Sequence, residues 1–264
     1  MPFADLGGLV VSYRTEGEED APRLVVLNSL GTDYRIWDGL VRALEDRYRI
    51  LRYDERGQGL SDSPPGPYSI ADHSGDLLAL LDAVGWGPTL LCGLSIGGMI
   101  AMDASARRPG AVRGLVLADT ADVIGPRSFW DARMRQVREG GLERIAQPVM
   151  ERWFGASFRR SRPAEARGWA NLLAGASPDG YLGSCSALRE ADLSSSLPLV
   201  GAPALCVCGS EDLSTPPSSV KSLASRLPDA EYVEIEGAGH LSPVERPLEF
   251  ARVLDAFARR RIGS

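Results

Sequence analysis

The chain has 264 residues, 44% of them hydrophobic and 24% charged, which is ordinary globular usage and enough for one large α/β domain with a sizeable core. A net charge of −6 and a pI near 5.1 exclude the concentrated basic face that nucleic acid or an anionic membrane needs, and favour a small-molecule substrate. There is neither a run approaching the roughly 18 apolar residues of a membrane span nor a basic N-terminus leading into one, so a cytoplasmic protein without membrane partners is expected.

In chain order, residues 9–13, 24–27, 49–53, 89–92, 112–118, 203–208 and 231–235 are short, β-prone and mostly apolar. Such runs suit strands buried on both faces of a mostly parallel sheet. Amphipathic helical stretches lie near 34–46, 70–84, 98–108, 217–226 and 246–260, so the alternation predicts an α/β fold with helices on both faces. The alternation stops after Ala121 and resumes near Pro203, leaving an interval with Trp130, Trp153, Trp169 and several arginines. The expected organisation is a core of residues 1–121 and 203–264 with a helical cap of residues 122–202 over the ligand crevice at the sheet's carboxyl ends. The four cysteines, Cys92, Cys185, Cys206 and Cys208, have neither zinc nor redox spacing, and Cys206 and Cys208 read as small buried hydrophobes.

Gly93-Leu94-Ser95-Ile96-Gly97 fits G-x-S-x-G between a strand and a helix, the setting in which a serine projects from a tight turn as a nucleophile. A serine hydroxyl needs a base, and the chain has two histidines. His240 follows the last strand, where the base of the order Ser, Asp/Glu, His falls. His73 lies inside a helical run and reads as a surface residue. The carboxylate that orients the base is expected to be Asp212, after the strand ending at Cys208, with Glu211 and Asp119 as alternatives. Backbone N–H groups of Ile96 and of Leu30, in the loop after the strand ending at Leu27, are expected to form an oxyanion hole.

Together these features identify the chain as similar to the α/β-hydrolase superfamily along essentially its whole length, with the eight-stranded sheet and helical cap typical of it. More narrowly, the chain resembles the 3-oxoadipate enol-lactonases. The resemblance rests on Asn28-Ser29-Leu30-Gly31-Thr32, on Tyr53-Asp54-Glu55-Arg56-Gly57-Gln58-Gly59 with Ser61, on the elbow, on Glu151-Arg152-Trp153-Phe154 and on Gly239-His240-Leu241-Ser242-Pro243-Val244-Glu245. It implies hydrolysis of a small ester or lactone through an acyl-enzyme, without metal or organic cofactor, by a chain that can form homo-oligomers. It also implies substrate contacts from Asn28, Ser29 and Trp153, and from an arginine among Arg133, Arg152 and Arg189 that meets a substrate carboxylate. Rival activities on the same residues are a general carboxylesterase, a carbon–carbon bond hydrolase and a cofactor-free perhydrolase. A non-catalytic ligand-binding homologue is the rival from another class.

Overall fold

A computed structural model describes residues 2–263. Among them a single sheet of eight strands runs in the order β1 (Phe3–Asp5), β2 (Val10–Glu16), β4 (Arg49–Tyr53), β3 (Arg23–Leu27), β5 (Thr89–Leu94), β6 (Val112–Ala118), β7 (Ala204–Gly209) and β8 (Ala230–Ile235). β2 is antiparallel to β1 and β4, and every other pairing is parallel. β5 and β7 are buried along their whole length, consistent with apolar runs covered on both faces.

Chain direction decides where the helices lie. From β3 the chain steps outward to β4, with α1 (Asp38–Leu44) between them, whereas β4, β5 and β6 are joined in the opposite direction through α2 (Ile70–Ala83) and α3 (Ile96–Arg107). Right-handed crossovers therefore place α1 on one face and α2 and α3 on the other. α9 (Pro217–Arg226) follows the second direction, and α11 (Pro247–Arg261) packs beside α1. The reversal between neighbouring β3 and β5 opens a crevice at their carboxyl ends. Into it lead the loop after Leu27 and the turn at Ser95.

Between β6 and β7 the chain forms α4 (Arg127–Gly140), α5 (Glu143–Trp153), α6 (Ala156–Ser161), α7 (Pro163–Ala174) and α8 (Pro178–Glu190). α4 packs on α8 and α5 on α7. This is the interval where strand–helix alternation fails in the sequence. The structure differs from expectation in detail: Tyr34–Trp37 is a 3-10 turn ahead of α1, α3 begins at Ile96, and a short α10 (Ser242–Glu245) precedes α11. β1 is an addition, too short at three residues for a periodic pattern.

His73 is not a surface residue. α2 points Ile70, His73, Leu77, Leu80 and Leu81 inward at helical spacing, and its ring lies edge-on to Tyr68 with Nε2 3.4 Å from Ser184 Oγ of α8. Burial lowers its pKa to about 3, so it is neutral packing between α2 and α8.

Candidate active site

The elbow is built from close backbone approach. Ser95 takes φ 60° and ψ −120°, a conformation non-glycine residues adopt at a cost of order 1–3 kcal/mol. It is held there by Ser95 N–H on Ala118 O (2.9 Å) and by Thr120 Oγ1–H on Ser95 O (2.6 Å). A Cβ at Gly97 would stand 2.5 Å from Leu27 O and 2.7 Å from Asn28 O, so only glycine lets the elbow sit against the end of β3. Ile96 opens α3, and its N–H belongs to the helix's unpaired first turn.

His240 is 3% exposed and Asp212 2%. His240 Nδ1 lies 2.9 Å from Asp212 Oδ2. Asp212 Oδ2 also accepts from Thr215 Oγ1 (2.6 Å), and Oδ1 accepts the N–H groups of Ser214 (2.6 Å) and Thr215 (3.1 Å). With Nδ1 donating, Nε2 is left as the acceptor. The rival carboxylates are otherwise engaged. Asp119, fully buried, takes Gly209 N–H (2.8 Å) and the Ser242 hydroxyl (2.5 Å), while Glu211 accepts Ala156 N–H (3.2 Å). Burial, then the charge of Asp212, pushes the Asp119 carboxyl well above the usual range. Asp119, Cys208 and Asp212 bring possible ligand atoms within 4.8 Å of one another. Hydrogen-bond donors already point at both carboxylates, an arrangement that opposes a cation.

Ser95 and His240 line one cavity of about 350 Å³. Its floor includes Ser29 and Leu30; α4 contributes Phe129, Trp130 and Arg133, α5 contributes Val149, Arg152 and Trp153, and α8 contributes Tyr181. Both guanidiniums lie over the Phe129 ring, Arg133 at 5.3 Å and Arg152 at 5.1 Å. Their hydrogen bonds go to neutral groups, Arg133 to Tyr181 OH (3.1 Å) and Arg152 to Leu213 O (2.8 Å), and neither forms an ion pair among the described residues. Burial, then the neighbouring Arg133, lowers the pKa of Arg152. Ser29 Oγ is buried without a hydrogen-bond partner among the described residues.

Two expected substrate contacts lie elsewhere. Asn28 is fully buried and spends its side chain on Tyr53 O, Glu55 and the Trp37 indole. Arg189 sits outside the cavity, paired with Asp131 (2.6 Å) and with Glu190. The sequence reading also missed Thr215 and Glu245. Thr215 stands three residues after Asp212, a spacing at which an aspartate caps following N–H groups, and that signal was available. Glu245, 2% exposed, accepts Gly239 N–H (2.7 Å) and Gly155 N–H (3.1 Å). With Leu241 N–H on Trp153 O (2.9 Å), it ties the His240 loop to the end of α5.

Residues 22–247 match the family model of the α/β hydrolase fold. The chain is an α/β hydrolase. This hydrolase is 34% identical to 3-oxoadipate enol-lactonase 2 of Acinetobacter baylyi over 96% of this chain and 94% of that one. The crystal structure of the enol-lactonase from Burkholderia xenovorans matches it with a TM-score of 0.94 and 35% identity, over 97% and 99% of the two chains. A putative carbamate hydrolase, RutD, of Pseudomonas syringae is 30% identical over 90% of this chain and 94% of its own. No helix among the described residues is long and apolar enough to cross a membrane.

Proposed function

We propose that this hydrolase opens a small lactone bearing a carboxylate, 3-oxoadipate enol-lactone being the substrate its similarity to enol-lactonases favours. The observation that carries the choice is the pair Arg133 and Arg152, two cations without anionic partners among the described residues, in the same cavity as Ser95 and His240. Both guanidiniums are only half-buried, and a partly desolvated cation still gains from a counter-charge, which a substrate carboxylate supplies.

In the reaction, His240 Nε2 takes the Ser95 proton as Oγ bonds to the lactone carbonyl carbon. The N–H groups of Ile96 and Leu30 hold the resulting oxyanion, and Asp212 stabilises the imidazolium. Collapse breaks the ring C–O bond. The departing enol oxygen takes the proton from His240, and the enol becomes the ketone while still tethered as the acyl group. Water then gives a proton to His240 and attacks the acyl carbon, and Ser95 leaves with that proton. The sum is lactone plus water to a keto acid. Trp153 and Phe129 wall the ring.

The test is a rate panel of carboxylated enol-lactones, neutral aryl esters and carbamates, with wild type and Ser95→Ala. The proposal expects Ser95→Ala to abolish turnover and kcat/KM to be highest for the carboxylated lactone. Carbamates turned over faster would move the assignment toward the activity named for the RutD relative.

A further inference from the structure

The loop that carries the Leu30 N–H is closed locally by Thr32, whose N–H and hydroxyl both donate to Ser29 O (3.2 and 2.8 Å), but its attachment to the body comes from the stretch after β4. Asn28 N–H donates to Glu55 Oε1 (2.7 Å) and Asn28 Nδ2 donates to Glu55 Oε2 (2.7 Å). The two residues are 27 apart in sequence, Asn28 at the end of β3 and Glu55 just past β4. Glu55 is 1% exposed and has no cation in an ion pair among the described residues, and each of its oxygens accepts a hydrogen bond from Asn28. The other polar atoms of the Asn28 side chain are also taken: Nδ2 donates to Tyr53 O (2.9 Å), and Oδ1 accepts from Trp37 Nε1 (3.0 Å). The same stretch after β4 holds the rest of the loop. The Gln58 amide, oriented as its neighbours require, donates to Ser29 O (3.2 Å) and Thr32 O (2.6 Å), and Asp54 Oδ1 accepts Tyr34 N–H (2.9 Å).

The geometry points to Glu55 as a positioning residue for catalysis: by gripping both donors of Asn28 it sets where the Leu30 N–H stands relative to Ser95. Glu55 touches no reacting atom; it acts through the backbone of residues 28–30. A carboxyl group held by a backbone N–H and a side-chain amide at once fixes both translation and rotation of the peptide that follows, which a single hydrogen bond does not. Oxyanion stabilisation depends on donors placed before the charge develops, and a displacement of about 1 Å costs on the order of 10²-fold in rate. Burying an acidic group beside neutral donors without a cation is unfavourable for stability alone, which suits a group kept for placement.

The inference rests on the proposed roles of Ser95 and Leu30, so a control comes first: Ser95→Ala must abolish hydrolysis of p-nitrophenyl acetate, and if it does not, that reading fails before this one is tested. Given the control, Glu55→Ala and Glu55→Gln are compared with wild type below their melting temperatures, each shown folded by circular dichroism. Glu55→Gln keeps one of the two acceptors. The expected order of kcat is wild type, then Glu55→Gln, then Glu55→Ala, the last lower by about 10²-fold with KM changed by less than about threefold. Affinity for a trifluoromethyl ketone, whose adduct places an oxyanion in the hole, should fall in parallel with kcat, while affinity for an unreactive carboxylate inhibitor stays put. A folded Glu55→Ala enzyme with kcat within about twofold of wild type overturns the inference. So does equal weakening of both inhibitors, since that marks general loosening of the cavity. If Glu55→Ala does not fold, the same comparison on Glu55→Gln decides.

Discussion

Replacing Asp212 with asparagine changes one atom, and the structure dictates which way the amide must turn. Oδ1 faces two fixed backbone donors, Ser214 N–H at 2.6 Å and Thr215 N–H at 3.1 Å, so the amide oxygen must occupy that side. The NH₂ is then driven to the Oδ2 side, where it meets His240 Nδ1 at 2.9 Å and the Thr215 hydroxyl, which can rotate and accept. Nδ1 becomes an acceptor and the imidazole proton moves to Nε2, the atom that takes the Ser95 proton in the proposed reaction. The wrong tautomer in an analogous triad of another protein lowers kcat about 10⁴-fold, equivalent to about 5 kcal/mol of barrier. Of the four contacts, the two from backbone N–H groups are kept and the two on the Oδ2 side reverse direction, so thermal stability should move little. The assay is kcat for the best lactone and for p-nitrophenyl acetate at neutral pH, with the melting temperature of each protein. An Asp212→Asn enzyme retaining more than about a tenth of wild-type kcat would refute the tautomer argument.

Asp119→Asn should behave in the opposite way: its amide oxygen can face Gly209 N–H while Ser242 turns to accept, so kcat stays within about tenfold of wild type in the same assay. Replacing Arg133 or Arg152 with methionine should raise KM for a carboxylated substrate about tenfold to a hundredfold, the range of a charge-assisted contact. The same variants should leave kcat/KM for a neutral aryl ester nearly unchanged, and a similar loss on both substrates counts against a carboxylate site. Burial raises the carboxyl of Asp54 to about 6 and that of Glu55 to about 8. Because these folded values lie above the unfolded ones, their contribution is complete below about pH 4 and is lost as pH rises through the folded values. Melting temperature measured from pH 5 to 9 should therefore fall by several degrees, and Glu55→Gln should flatten the upper part of that slope.

What could be read without coordinates was local. Ser95 shows itself because strand, glycine-flanked turn and helix are contiguous, and His240 because His73 falls within a helix. In the sequence Asp212 is preferred from its place after the strand ending at Cys208, but Glu211 and Asp119 stay open as alternatives, since three carboxylates near strand ends differ most in what their oxygens meet. The arginines divide on helix face: Arg133 and Arg152 turn toward the cavity, whereas Arg189 finds Asp131 on α4. No periodicity reports that. Asn28 was misjudged for a related reason. Its loop was correctly placed beside the elbow, but its partner Glu55 comes from another strand end, and contacts between separate strand ends leave no trace in local spacing. Glu245 stayed hidden because it joins loops that meet only in the fold, whereas Thr215 could have been found from its three-residue spacing to Asp212.

The bonds between the His240 loop and the end of α5 also decide where this protein can be recombined. Glu245 grips Gly155 and Gly239 together, Leu241 N–H holds Trp153 O, and a Cβ at Gly239 would stand 2.7 Å from Gly155 N. Residues 153–156 thus travel with the body, although in chain order they fall in the middle of the helices above it. A chimera that imports those helices from a relative in two pieces, 122–152 and 157–202, keeps this seam native; one cut at 122 and 202 replaces it and puts a foreign backbone against the His240 loop.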